Sequence, residues 1–205
     1  MYVPEHFAQG DREAALGLIA RHSFGLLVAG DEAAHIPFVL DREQALLRCH
    51  IARPNPIWRL ALGQRVLAVF SGPHCYVSPD WYETPALVPT WNYMAVHVHG
   101  TARELPEAAL EAHLGALVAQ EEAALAPKPA WDMATVPAGV AAALRRGIVG
   151  LEIPLERVEA KWKLSQNRTE ADRRKVVAAL RVRGGENNMA VAGAMGANEA
   201  EGNGS

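Results

Sequence analysis

The sequence is poor in most of the features that mark specialised proteins. It has two cysteines, Cys49 and Cys75, far apart and in no C-x-x-C pattern. That predicts reduced thiols acting as small buried side chains, as in a cytoplasmic protein. Charge of one sign is lacking: the formal net charge is −3, without the basic footprint that nucleic-acid binders usually carry. No apolar run approaches the length of a membrane span. The first residues, MYVPEHFAQGD, have neither the basic start nor the apolar stretch of a signal peptide. No G-x-G-x-x-G follows the first strand and no G-x-x-x-x-G-K-[ST] occurs, so the usual glycine-rich phosphate cradles are missing. There is no G-x-S-x-G, and nothing beside the cysteines would orient a thiolate, which argues against serine or cysteine hydrolysis. No repeat recurs at a fixed period.

What is present suits one medium domain, or one domain with decorations. The chain has 205 residues, 50% hydrophobic and 21% charged, enough to bury a core. Residues 11–22 predict a helix with Leu16, Ile19 and Ala20 on one face. SFGLLVA, a Gly-Asp turn and AAHIPFVL predict a hairpin, and ALLRCHI a third strand. ARPNP is not strand, because its prolines lack donors; PIWRLAL then makes a short helix. RVLAVFSG and PHCYVS read as two further strand segments. A proline-rich loop from Ser78 to Pro89 leads into the long strand VPTWNYMAVHVHG. Residues 106–125 predict a helix with a stripe of Leu110, Leu114, Leu117, Val118 and Leu125. PKPAWDMATVP reads as a loop, and a short helix runs through Leu144. GIVGLEIPLERVEAKWKL reads as strand, bend at Pro154, strand. Thr169 with Asp172 predicts a capped last helix. From residue 183 the chain is rich in Gly, Ala and Asn and predicts a disordered tail, 183–205, after a folded domain of residues 1–182. Roughly five to seven short, evenly spaced strands with helices at the edges predict a mainly β fold, a closed or partly closed antiparallel barrel.

Several residues could carry chemistry. In the long strand, Trp91, Tyr93, Ala95, His97 and His99 share one face, and Asn92, Met94, Val96 and Val98 the other. His97 and His99 could hold zinc with a third ligand such as His74 or Cys75, or could be polar residues of a sheet face; the second reading is preferred. Trp58, Trp81, Trp91 and Trp162 each lie near groups that make directional bonds, among them Asn55, Asp80, Asn92, Ser165, Gln166 and Asn167. Aromatic walls with a few placed polar groups suit a flat heteroaromatic ligand. RCHIARPNP puts Arg48, His50, Arg53 and Asn55 within eight residues of sequence and ahead of a helix start, a pattern that suits an anion. Lys163 is a second cation. The last helix is locally basic, with Arg168, Arg173, Arg174, Lys175, Arg181 and Arg183. It could touch DNA phosphates or be a solvated face with Glu170 and Asp172 interleaved.

Taken together, MYVPEHF, HSFGLLV, HIPF, HIARPNPIW, FSGPHCYVSPDWY, VPTWNYMAVHVHG, GIVGLEI and KLSQNR resemble the PaiB family of FMN-binding negative transcriptional regulators. The resemblance spans residues 1 to about 168. It implies a split β-barrel of the pyridoxamine-phosphate-oxidase-like kind, a homodimer with FMN at the subunit interface, and DNA as a candidate partner. His50, Arg53 and Asn55 would hold the phosphate, with Arg48 and Trp58 beside them. His35, Thr90, Trp91, Asn92, Lys163, Ser165, Gln166 and Asn167 would line the isoalloxazine and ribityl chain. The resemblance also implies repression of sporulation and extracellular protease genes. An FMN-dependent oxidoreductase is the alternative. His35, His74 and Tyr82 are the candidate acids or bases toward the flavin N5, and no catalytic residue is singled out.

Overall fold

A computed structural model describes residues 1–202, with side chains described through residue 197. Its elements are α1 (Arg12–Arg21), β1 (Phe24–Ala29), β2 (Glu32–Pro37), β3 (Val39–Asp41), β4 (Leu46–Ala52), α2 (Ile57–Ala61), β5 (Arg65–Val77), β6 (Thr90–Thr101), β7 (Arg103–Glu104), α3 (Glu107–Ala123), α4 (Ala138–Arg146), β8 (Ile148–Pro154), β9 (Arg157–Lys163), α5 (Glu170–Arg183) and α6 (Glu186–Gly202). The two segments expected around Gly72 and Pro73 form one strand, β5. A proline can sit in a strand wherever its missing N–H is not needed by a neighbour.

The chain forms two compact units. The larger holds Glu13–Phe70 and His97–Val158. In it, β1 pairs antiparallel with β2 and with β5, while β3-β4-β8-β7 form a second antiparallel sheet. The β1–β2 hairpin turns at Gly30, whose φ of 62° suits a two-residue turn. β4 and β8 pair over the whole of β4, from Leu46↔Pro154 to Ala52↔Ile148. Alternation along β4 sends Leu47, Cys49 and Ile51 into the core and leaves Arg48 and His50 on the opposite face. The core is aliphatic, with Phe38 and Phe70 edge to face at 5.2 Å. β6 and β8 meet so closely that a side-chain carbon on Gly100 would lie 2.0 Å from the Pro154 carbonyl oxygen. Only glycine fits there.

The smaller unit holds Met1–Arg12, Ser71–Val96 and the chain from Glu159 onward, with strand order β5-β6-β9. Ala8 bridges to Lys161. Thr169 caps α5 as expected, its Oγ1 accepting from the Asp172 N–H at 3.1 Å. Asp172 in turn accepts from the N–H groups of Glu83 and Thr84, at 2.8 and 3.0 Å, and from the Thr84 hydroxyl at 2.8 Å. One buried carboxylate therefore anchors the proline-rich loop to the start of α5.

The tail is the correction. Residues 186–202 form α6, where disorder was expected; residues 203–205 lie outside the described residues. Ala and Gly contribute little apolar area each, but they let a helix approach its neighbour closely. Val191, Ala192 and Met195 form a stripe at helical spacing and are at most 1% exposed, and α6 packs on α5. Composition counts apolar mass; here spacing decided the outcome.

Two outcomes follow. Met195→Ala should destabilise the protein by about 2–4 kcal/mol in a urea titration, whereas a disordered tail would show no change. The Asp172 carboxyl is held down to about 2, chiefly by the Thr84 N–H, against burial. Its unfolded value is about 3.9, so its stabilisation is complete above that pH and is lost as pH falls toward 2. An acid titration of Asp172→Asn should lack that component.

Candidate functional site

In the larger unit, Arg48 and His50 project from β4 beneath α3, and both are engaged. Arg48 pairs with Asp41 at 2.8 Å and with Gln44 Oε1 at 2.8 Å; its buried Nε has no partner. His50 Nδ1 lies 3.2 Å from Nε2 of His113 on α3, the rings edge to face at 5.4 Å. His113 is buried, and its Nδ1 has no partner. Burial, then the charges of His50 and Arg48, push the His113 imidazole down to about 4. Burial also lowers His50.

Beyond β4, the ARPNP turn is held largely by its own groups. Arg53 donates from Nε to the Arg146 carbonyl at 2.8 Å and from Nη2 to that of Ile148 at 2.9 Å. Its backbone N–H donates to Gly147 at 2.8 Å. Asn55 Oδ1 accepts from the Ile57 N–H at 3.1 Å, and Trp58 Nε1 donates to the Arg53 carbonyl at 3.0 Å. Several of the N–H groups expected at the start of α2 are therefore taken up or missing. Pro54 and Pro56 have none, the N–H groups of Arg53, Asn55 and Ile57 are engaged, and α2 is a helix of 5 residues. The exposed Arg53 guanidinium keeps Nη1 and lines a polar cleft of about 410 Å³ with Arg145, Arg146, Glu104 and Glu107. Elsewhere in this unit, His35 is exposed on β2, its ring stacked 6.3 Å from Phe24. His99 Nε2 lies 2.8 Å from the Arg157 guanidinium. Among the described residues, no group of three or more His, Cys, Asp or Glu could hold a metal ion.

In the smaller unit, Lys163 sits at the end of β9. Its ammonium donates to the Thr90 hydroxyl and to the Trp91 carbonyl, the latter at 2.9 Å. Burial, then the neighbouring cations Lys161 and Arg168, lower its pKa. Trp91 is 54% exposed. Tyr76 and His74, on one face of β5, place their ring centroids 6.1 and 6.3 Å from it. Asn92 turns the other way and is fully buried. Its Nδ2 donates to Ser165 Oγ at 3.0 Å and lies 3.5 Å from Met195 Sδ. Ser165 takes a φ of 64°, a strained position for a residue with a side chain. Gln166 closes that turn, accepting from the Leu164 N–H at 2.7 Å and donating to the Trp162 carbonyl at 2.5 Å. Asn167 is exposed beyond it.

The structure thus brings Thr90, Trp91 and Lys163 together at a surface, and it encloses Asn92 and Ser165 as a buried pair. The sequence did not single out Tyr76 and Arg146, which the structure places beside Trp91 and Arg53 respectively. Period-2 alternation along PHCYV would have put Tyr76 beside His74. Nothing local in the sequence places Arg146 near Arg53. Of the four tryptophans read as walls, Trp162 is core, and Trp131, outside that set, is 46% exposed.

The histidine pair carries a pH dependence. A histidine whose folded pKa is depressed resists protonation in the folded state. The unfolded chain takes up the proton near pH 6.5, so stability is full above that value and falls as pH drops toward 4. His113→Leu should reduce this slope in thermal melts from pH 7 to 4, leaving the smaller part due to His50; an unchanged slope would place its origin elsewhere.

Comparison with known proteins gives these elements a context. The family described as "Putative FMN-binding domain" matches residues 1–157. The chain is 34% identical over 187 residues to the Protease synthase and sporulation protein PAI 2 of Bacillus subtilis (strain 168), over 88% of this chain and 89% of that protein. It is 28% identical over 207 residues to an uncharacterised protein of Emericella nidulans, over 82% of each. Among solved structures it resembles the FAD and heme binding protein from Mycobacterium smegmatis, with a TM-score of 0.57, 14% identity, and 76% of this chain and 72% of that one covered. It also resembles the flavocytochrome Anf3 from Azotobacter vinelandii, with a TM-score of 0.56, 15% identity, and 82% and 73% covered. The fold is the mainly β split barrel with flanking helices, and the cofactor of the matching family is FMN. With the family model spanning residues 1–157 and the Bacillus relative aligned over most of both chains, this chain belongs to the PaiB-type family of FMN-binding domain proteins.

Proposed function

We propose that this chain is an FMN-binding, redox-responsive or metabolite-responsive regulator, a cytoplasmic homodimer with the flavin at its interface. The role in gene control is what the resemblance to the PaiB family implies, and the name of the Bacillus relative, a protease synthase and sporulation protein, is consistent with it. The observation that carries the flavin reading is Lys163, a half-buried ammonium whose partners Thr90 and Trp91 offer only neutral oxygens. The charges that act on it are cations. A site of that kind attracts an electron-rich or anionic group. Beside it, Trp91, Tyr76 and His74 present exposed rings suited to a flat heteroaromatic ligand.

These residues fit the group. Bound FMN supplies reversible electron transfer at its ring system. Lys163 would meet the N1/O2 edge and stabilise the reduced anion, Trp91 and Tyr76 would contact the ring, and Asn167 would offer an exposed amide. Arg48 and His50, held by Asp41 and His113, are left out of this assignment. So are the self-paired Asn92 and Ser165.

Direct DNA contact has less support than the flavin. On α5, Arg174 pairs with Glu170 at 2.9 Å and Lys175 with Glu83 at 3.1 Å, which neutralises part of the basic face. A second reading, an FMN-dependent oxidoreductase, is favoured by His74. Its Nδ1 lies 3.3 Å from the Gly72 carbonyl, and its ring is exposed beside Trp91, where a base would be reachable. Tyr82 is disfavoured for that role, because its hydroxyl is buried without a partner.

Reconstitution with FMN, followed by absorbance, tests the cofactor. Lys163→Met should weaken FMN binding about tenfold or more and shift the flavin potential negative. Unchanged affinity and potential would overturn the assignment. NAD(P)H-driven flavin reduction measured beside DNA binding across a salt series separates the two readings. Binding without sequence preference and with a steep salt slope would mean charge attraction alone.

A further inference from the structure

The larger unit contains a second cavity that the flavin reading does not use. It has a volume of about 320 Å³ and lies among β4, α3, the loop before α4, α4 and β8. His50, Leu114, Val118, Trp131, Leu144 and Arg145 are among its lining residues. The volume is at the lower end of the range for small-molecule sites, and an aliphatic and aromatic wall with few polar groups is the usual make-up of such sites. Trp131 and Leu144 remain 46% and 65% exposed, apolar surface that a ligand body would cover.

Hydrogen-bond accounting fixes what the polar end offers. His113 Nδ1 is buried with no partner. A buried N–H without an acceptor is more costly than a bare ring nitrogen, whose lone pair needs no donor to the same degree. The neutral His113 ring therefore carries its proton on Nε2. From there it donates to His50 Nδ1, 3.2 Å away. His50 Nδ1 must then be the acceptor, and a neutral His50 carries its own proton on Nε2. Since His50 lines the cavity, a positioned N–H is available to a ligand there. Arg145 adds positive charge at the same wall. Its ion pair with Glu111 is long, 3.5 Å, with Glu111 64% exposed, and such pairs hold their partners weakly.

We propose that this cavity is a binding site for a small aryl or alkyl monocarboxylate. The apolar body packs against Leu114, Val118 and Trp131, and the carboxylate accepts from His50 Nε2 with Arg145 as its counter-charge. His113 acts as a positioning residue, holding His50 in the donating tautomer.

The test uses FMN-loaded protein, with 1-naphthoate as probe and 1-naphthylmethylammonium as its cationic counterpart. Saturable binding of naphthoate with unchanged flavin absorbance is expected, the ammonium binding at least tenfold more weakly. His50→Phe keeps the ring and removes the donor; it should weaken naphthoate about tenfold or more. Ala141 of α4 also lines the cavity; Ala141→Phe, which fills it, should abolish binding while flavin absorbance and thermal melt report the fold. If His50→Phe does not fold, the Ala141→Phe result and the acid–amine comparison decide. No saturable binding at millimolar naphthoate, equal affinity for the amine, or unchanged affinity in a folded His50→Phe would each overturn the proposal. Displacement of naphthoate by added FMN would also overturn it, by making the cavity part of the flavin site.

Discussion

The larger unit depends on the register of β4 against β8. Seven consecutive pairs, from Leu46↔Pro154 to Ala52↔Ile148, decide which way every β4 side chain points. A shift of one residue would send Arg48 and His50 into the aliphatic core and turn Leu47, Cys49 and Ile51 out. The pairing does not stop at the strand ends. Arg53 continues it with its backbone N–H and two guanidinium bonds to the Arg146, Gly147 and Ile148 carbonyls, tying the end of α4 to the turn after β4. The His50 face, the helices that cover it and the cavity between them all follow from that register.

The smaller unit is organised around polar groups that are satisfied internally. Asp172 gathers the loop before β6 onto α5. Gln166 stitches the turn after β9. Lys163 is different, because its ammonium is only half-buried and is met by oxygens that carry no charge. That contrast sets Lys163 apart from Asp172 and Gln166.

Much of the fold was legible because it is local. The Gly-Asp hairpin, the alternation in ALLRCHI and the Thr169 cap each act within a few residues, and all appear in the structure. The strand faces of VPTWNYMAVHVHG were legible too: Asn92, Val96 and Val98 are buried while Trp91 is exposed. What was not legible depends on distant partners. RCHIARPNP looked like an anion site because its donors are dense, but whether a donor is available depends on what it meets. Asp41 and Gln44 take up Arg48, His113 takes up Nδ1 of His50 but not its Nε2, and the end of α4 takes up Nε and Nη2 of Arg53 but not Nη1. The cavity was hidden for the same reason, since Leu114, Trp131 and Leu144 converge only after folding. α6 forms despite a low total apolar content, because Val191, Ala192 and Met195 fall at helical spacing and are buried.

The buried pair of Asn92 and Ser165 has a consequence for sequence change. Its geometry needs three things at once: an amide on β6, a hydroxyl after β9, and a left-handed backbone at Ser165. Glycine at 165 would relax the backbone but strand the Asn92 amide, and an aliphatic residue at 92 would strand the hydroxyl. Neither position has an easy single step away from its present state. A change at one therefore calls for a change at the other, although 73 residues of chain separate them.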